Sequence, residues 1–168
     1  SMTMVYGEVK NNDTKARSFT IKVTFYDNSQ NIIGSASGAV NDLNGGESKI
    51  FSAIGTDDVS DATSHKVQVD TMVETKDNSP SVISFGEPFV RSEAGITMVD
   101  VETTNNNTIP HSFTVTIGFY DSNNQLIGVA TGAMNDLGAG EKKTLSAMAS
   151  GDYSGAASNK IFVDTMVE

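Results

Sequence analysis

The chain contains the same unit twice. Tyr26 recurs as Tyr120, and this offset of 94 residues holds without a gap from Met2/Ile96 to Glu74/Glu168. Of the 73 residue pairs aligned in this way, 37 are identical. An ungapped match at half of all positions indicates a duplication, and a unit of about 70 residues has the size of a small domain. The fold must therefore be one that a short segment can form twice.

The segment between the two copies divides into two parts. Residues 75–80 are polar and are typical of a linker, whereas 81–90 (SVISFGEPFV) carries large apolar residues and is strand-like. We predict domains at 1–74 and 81–168, joined by a linker at 75–80, with 81–90 as the first strand of the second domain. The matching segment of the first domain would precede residue 1. We therefore expect the first domain to lack that strand and to fold less well alone than 75–168.

Hydrophobic alternation predicts strands throughout. At 19–25 and 113–119 every second residue is apolar, which is the period of a half-buried strand. The closing segment alternates in the same way and predicts Val67, Val69 and Val73 inward, with Met72 outward. Short Asn- and Gly-rich turns separate these runs, and no segment favours more than one turn of helix. The prediction is an all-β fold of two tandem immunoglobulin-like antiparallel β-sandwich domains.

Composition excludes several classes of partner and site. The formal charge of −10 would repel nucleic acid and anionic membranes. The absence of cysteine excludes disulfides and thiolate sites. No apolar run reaches the roughly 18–20 residues of a spanning helix, so we predict no membrane insertion of this fragment.

Two short motifs resemble the signature of the FxLYD domain family. They are Val-Thr-Phe-Tyr-Asp at 23–27 and Ile-Gly-Phe-Tyr-Asp at 117–121, each followed by a Leu-x-x-Gly-Glu turn at 43–47 and 137–141. The first copy also has the family's Gly-x-Val-x-Asn opening at 7–11. The chain departs from the signature at its first and third positions, and the second copy has Val-Glu-Thr at 101–103 in place of Gly-x-Val. The resemblance implies an immunoglobulin-like sandwich, often exported or lipid-anchored, with no catalytic residues.

The repeated aspartates Asp27 and Asp121 are the first candidates for a functional site. Asp-x-Ser-x-Asn and Asp-x-Asn-x-Gln offer spaced oxygens for calcium, but the loops lack the Gly and Glu of an EF-hand at the sixth and twelfth positions. The favoured interpretation is that each carboxylate accepts hydrogen bonds within its own turn.

The other candidates each have a structural alternative. The acidic cluster Asp57, Asp58 and Asp61 recurs only at Asp152, so we interpret it as a solvated loop. His65 and His111 do not correspond in the repeat, which argues against a transition-metal or triad site. The glycosylation-type sequons at Asn12 and Asn106 are also explained by turn formation, and the tyrosines Tyr26 and Tyr120, which could form a recognition surface, by packing over the adjacent turn. The methionines Met72 and Met166 are contact residues or a second buried strip.

The sequence predicts a non-catalytic module rather than an enzyme, with no cofactor, no metal and no catalytic residue. We expect a spacer or binding/adhesion module of an exported or cell-surface protein, with an unknown protein or cell-surface partner and an anchor outside residues 1–168. Its expected state is a monomer or a weak edge-strand oligomer. The alternatives are a calcium-stabilised surface module and a structural assembly subunit.

Overall fold

The computed structural model describes residues 1–76 and 80–168. The chain divides into two compact units, Ser1–Asp77 and Asn78–Glu168. Within the described residues their regular structure is β except for one 3₁₀ turn at Pro80–Val82, so the all-β prediction is confirmed. The predicted linker at 75–80 includes residues 77–79, which lie outside the described residues. Among the described residues, no helix has the length and apolarity needed to cross a membrane.

Unit 1 is built from a single antiparallel sheet. Its strands are β1 (Thr3–Lys10), β2 (Arg17–Tyr26), β3 (Ile32–Leu43), β4 (Ser48–Gly55) and β5 (Ser64–Glu74). They lie in the order β1-β4-β3-β2-β5. Within residues 1–76, β1 pairs only with β4, over the whole length from Thr3↔Gly55 to Lys10↔Ser48.

Unit 2 repeats this sheet and adds two short strands. Its strands are β6 (Ile83–Phe85), β7 (Phe89–Glu93), β8 (Ile96–Asn105), β9 (His111–Tyr120), β10 (Leu126–Leu137), β11 (Lys142–Ser150) and β12 (Ser158–Val167). The order β12-β9-β10-β11-β8 is that of unit 1, and β6 and β7 both pair with the outer edge of β8. The strand-like segment 81–90 is thus interrupted at 86–88, where Pro88 has no N–H to donate to a neighbouring strand.

Each unit encloses its own apolar core between the two halves of its folded sheet, which gives it β-sandwich character. The strictly alternating run at 19–25 places Phe19, Ile21 and Val23 in the core of unit 1, with exposures of 7%, 2% and 0%. Their counterparts Phe113, Val115 and Ile117 are buried in unit 2. The predicted inward face of this strand is confirmed.

A glycine lies at the corner where each sheet folds. Strands β3 and β4 pair only at Ser37↔Ile54 and Gly38↔Ala53. A Cβ atom at Gly38 would lie 2.0 Å from the carbonyl oxygen of Ser52, so the two backbones can approach this closely only without a side chain. Gly132 has the same position in unit 2, where a Cβ would lie 2.7 Å from the oxygen of Ser146.

A β-bulge makes one predicted face wrong. The register of β5 against β2 shifts between Val69↔Ile21 and Met72↔Phe19. Between these two pairs β5 has two residues where β2 has one. Each side chain of β5 after the bulge therefore lies on the opposite face from the one that strict alternation predicts. Met72 lies on the inward face beside Phe19, and Val73, predicted inward, lies opposite Ser18 on the outer face. The same shift in β12 places Met166 against the core of unit 2.

Candidate functional site

The repeated aspartates form the hydrogen bonds expected of turn residues. Asp27 Oδ1 accepts bonds from the backbone N–H groups of Ser29 (2.8 Å) and Asn31 (2.9 Å), and its Oδ2 accepts one from Asn31 Nδ2 at 3.1 Å. Asp121 Oδ1 accepts the same two backbone bonds, each at 2.9 Å. In the turn of Asp27, Gln30 has a left-handed backbone conformation with φ 64° and closes the turn. Both oxygens of Asp27 thus serve their own hairpin.

We expect the hairpin of Asp27 to be sensitive to acid and insensitive to calcium. The backbone N–H of Asn31 is the main cause that lowers the pKa of Asp27. Its folded pKa lies below the unfolded value of about 3.9, so its stabilising contribution is present above that pH and is lost as the pH falls through the folded pKa. Asp27→Ala should therefore lower the Tm of unit 1 at pH 7 and flatten its acid dependence. The control is Asn28→Ala in the same turn. A rise in Tm with calcium over a chelator, abolished by Asp27→Ala, would contradict the turn interpretation.

The acidic cluster is divided among separate loop contacts. Asp57 Oδ2 accepts a bond from the backbone N–H of Ser35 at 3.0 Å, whereas Asp58 Oδ1 accepts one from that of Ser60 at 3.0 Å. The recurring member, Asp152, accepts the equivalent bond from Ser154. Bonds from these serines lower the pKa of both Asp58 and Asp152. In the parts of the chain that the structure describes, no three His, Asp or Glu side chains are grouped for a metal ion.

The histidines belong to different units and have different surroundings. His65 lies on exposed β5, with its ring 6.5 Å from that of Phe25. His111 is buried; its Nε2 is 2.9 Å from Asn107 Nδ2, and its Nδ1 is 3.3 Å from the carbonyl oxygen of Val167. Because a carbonyl oxygen only accepts, Nδ1 is the donor in the contact with Val167. Its counterpart Arg17 instead forms an ion pair with Asp13.

Two asparagines that the sequence analysis did not single out hold the loops together. Asn105 is fully buried; its Nδ2 donates to the carbonyl oxygens of Ile109 (2.8 Å) and Leu137 (2.9 Å). Its Oδ1 accepts a bond from the backbone N–H of Asn107 at 2.9 Å. Asn11 makes the equivalent bonds in unit 1. The available signal was that the Asn-Asn pair recurs in the repeat, although only the first Asn of each pair is buried.

The remaining candidates differ in exposure. Asn12 and Asn106 of the sequons are exposed, and Asn106 Nδ2 donates to Ser84 Oγ at 3.0 Å. Tyr120 is only 2% exposed, with Lys160 Nζ 4.7 Å from the centre of its ring. A recognition surface at Tyr120 is therefore excluded, because β12 and its preceding loop pair with this end of β9. Tyr26 is half-buried.

An open groove lies beside the outer edge of β1. It has a volume of about 280 Å³, and its walls include Val9 and Lys10 from β1 and Phe19, Val69 and Met72 from the facing strands. Within residues 1–76 no strand pairs with this edge of β1, whereas β6 and β7 pair with the same edge of β8 in unit 2. The apolar wall is exposed accordingly: Val69 is 50% exposed and Met72 53%.

Comparisons with known proteins identify no relative of this chain. No protein-family model, curated protein or solved structure matches the chain significantly.

Proposed function

We propose that the chain is a non-catalytic tandem pair of immunoglobulin-like modules, similar to FxLYD domains, in an exported or cell-surface protein. It acts either as a spacer or as a module that binds a partner through a sheet edge. It carries out no covalent chemistry on a substrate. The observation that supports the binding role is an exposed apolar groove beside the outer edge of β1, with which no strand of residues 1–76 pairs. An edge of this kind is the usual site for adding a further strand.

The turn clusters support a structural role for their polar side chains. Asp27 and Asp58, with their counterparts in unit 2, accept bonds inside their own loops, whereas Asn11 donates to Leu43 in another loop. A duplicated frame held in this way suits a spacer as well as a binding module. The alternative of an assembly subunit uses the same edge of β1 with a second copy of the chain.

Photo-crosslinking on intact source cells tests this proposal. Lys10→p-benzoylphenylalanine places the crosslinker on the open edge, and Thr104→p-benzoylphenylalanine is the matched control on the edge that β6 covers. We expect a discrete adduct from position 10 and none from position 104, with the chain accessible to antibody before permeabilisation. Equal crosslinking from both positions, or antibody access only after permeabilisation, would overturn the proposal. An adduct of twice the chain mass would favour the assembly subunit.

A further inference from the structure

The loop between β1 and β2 keeps three residues in its counterpart between β8 and β9. Of positions 10–17, which correspond to 104–111, only the second, third and fifth are identical in the two units. The first of these three is the buried asparagine that ties the loops together. The other two form the triplet Asn-x-Thr at 12–14 and 106–108, and both are exposed in each unit. The packing of the loop therefore explains only one of the three.

The turn forms without the side chain of the triplet's asparagine. In unit 1, Asn11 Oδ1 accepts the N–H of Asp13 at 2.9 Å, and Asp13 Oδ1 accepts that of Thr14 at 2.7 Å. The corresponding residues of unit 2 make the same two bonds. None of these bonds uses the side chain of Asn12 or Asn106. Turn formation therefore does not account for the asparagine of either triplet.

The threonine of the triplet serves the turn through its main chain. The bond that it donates comes from its backbone N–H, which every residue except proline has. The hydroxyl of Thr14 lies 3.5 Å from Asp13 Oδ1, which is longer than an O–H···O hydrogen bond normally is. The turn thus requires neither the amide nor the hydroxyl that both units keep.

The triplet stays accessible when a neighbouring strand is present. In unit 2, β6 pairs with β8 beside the loop, and the backbone N–H of Asn106 donates to the carbonyl oxygen of Val82 at 2.8 Å. The side chain of Asn106 is nevertheless exposed. Its bond to Ser84 Oγ uses one of the two N–H groups of the amide. The exposure of the triplet therefore does not depend on the free edge of β1.

We propose that Asn12 and Asn106 are acceptor sites for N-linked oligosaccharides. Asn-x-Thr with an exposed asparagine on a loop is the acceptor motif of this modification in exported proteins, so the inference rests on the proposed export of the chain. The donor is an oligosaccharide joined through a diphosphate to a membrane lipid. The amide Nδ2 forms a bond to C1 of the first sugar, the bond from C1 to the diphosphate oxygen breaks, and the lipid diphosphate leaves. The nitrogen gives up one of its two protons to a base of the transferase.

Mass spectrometry of the full chain, recovered from the outside of its source cells, tests the two sites. We expect the peptides that contain 12–14 and 106–108 to carry an added oligosaccharide. Treatment with an enzyme that hydrolyses the sugar–amide bond should leave aspartate in place of each modified asparagine. An unmodified asparagine at both positions in exported chain would overturn the inference and leave the proposed function in place. Chain found unmodified and only inside the cells would overturn both.

Variants of the third residue distinguish this modification from other chemistry at an exposed asparagine. Thr14→Ser and Thr108→Ser keep the hydroxyl and should keep the oligosaccharide, whereas Thr14→Val and Thr108→Val should lose it. The four variants keep the backbone N–H that the turn uses, so each chain should fold and be exported equally. Asp13→Asn gives unit 1 the triplet of unit 2 and should leave the modification unchanged. An oligosaccharide that persists in the valine variants would overturn the inference.

Discussion

We expect Asn105→Ala to lower the free energy of unfolding of unit 2 by about 3–4 kcal/mol, because it removes a fully buried amide and three hydrogen bonds. The substitution removes the acceptor of the Asn107 N–H and the donor to two carbonyls, those of Ile109 and Leu137. Leu137 belongs to a different hairpin from Asn105, so the same side chain ties two loops together. Alanine cannot form these bonds, and the carbonyl of Leu137 loses a buried donor.

The neighbouring residue provides the control for this effect. Asn106→Ala changes an exposed side chain in the same loop, whose bond to Ser84 Oγ lies at the surface. We expect a change below about 1 kcal/mol. Urea denaturation of the full chain, followed through amide NMR signals of Val99 and Val115, reports on unit 2 alone. Equal losses for the two variants would show that the buried amide does not hold the loops.

Alternation in the sequence identifies which strand faces are buried, but not where the strands change register. Phe19, Ile21 and Val23 are predictable because the period of two decides their face from local information. The bulge after Val69 is not, because it depends on how β5 pairs with β2. Strand β3 shows the same limit: it continues to Leu43, where the predicted turn begins, with Asp42 in a left-handed conformation at φ 52°.

Burial of polar residues also depends on the contacts that each fold context provides, which the residue type does not show. Lys49 and Lys143 are the same residue at the same repeat position, but Lys49 is 1% exposed and Lys143 lies at the surface. Lys49 Nζ donates to the carbonyl oxygen of Asn41 at 2.9 Å, whereas Lys143 forms an ion pair with Glu141. The open groove was accessible to sequence reasoning only through the repeat, which showed that 81–90 has no counterpart within residues 1–74.

The cores of the two units differ at a pair of facing residues. One residue of the pair is smaller in unit 1 than in unit 2, and the other is larger. Gly7 pairs with Phe51 in unit 1, and at the same positions Val101 pairs with Leu145 in unit 2. A Cβ at Gly7 would lie 2.6 Å from the ring of Phe51, so the large ring occupies the space of the absent side chain. Packing against Phe51 therefore requires glycine at position 7, the first residue of the Gly-x-Val-x-Asn opening.

Val101→Gly should cost unit 2 about 3 kcal/mol, because it removes a fully buried valine and places a glycine inside a strand. Leu145→Phe alone should also destabilise the unit, since the added ring volume meets Val101 in a filled core. The double variant recreates the pair of unit 1, and we expect its loss to be smaller than the sum of the single losses by about 1–3 kcal/mol. Urea denaturation with the amide signals of unit 2 measures the cycle. Additive losses would mean that Gly7 and Phe51 are independent, and that the two cores differ by more than this one exchange.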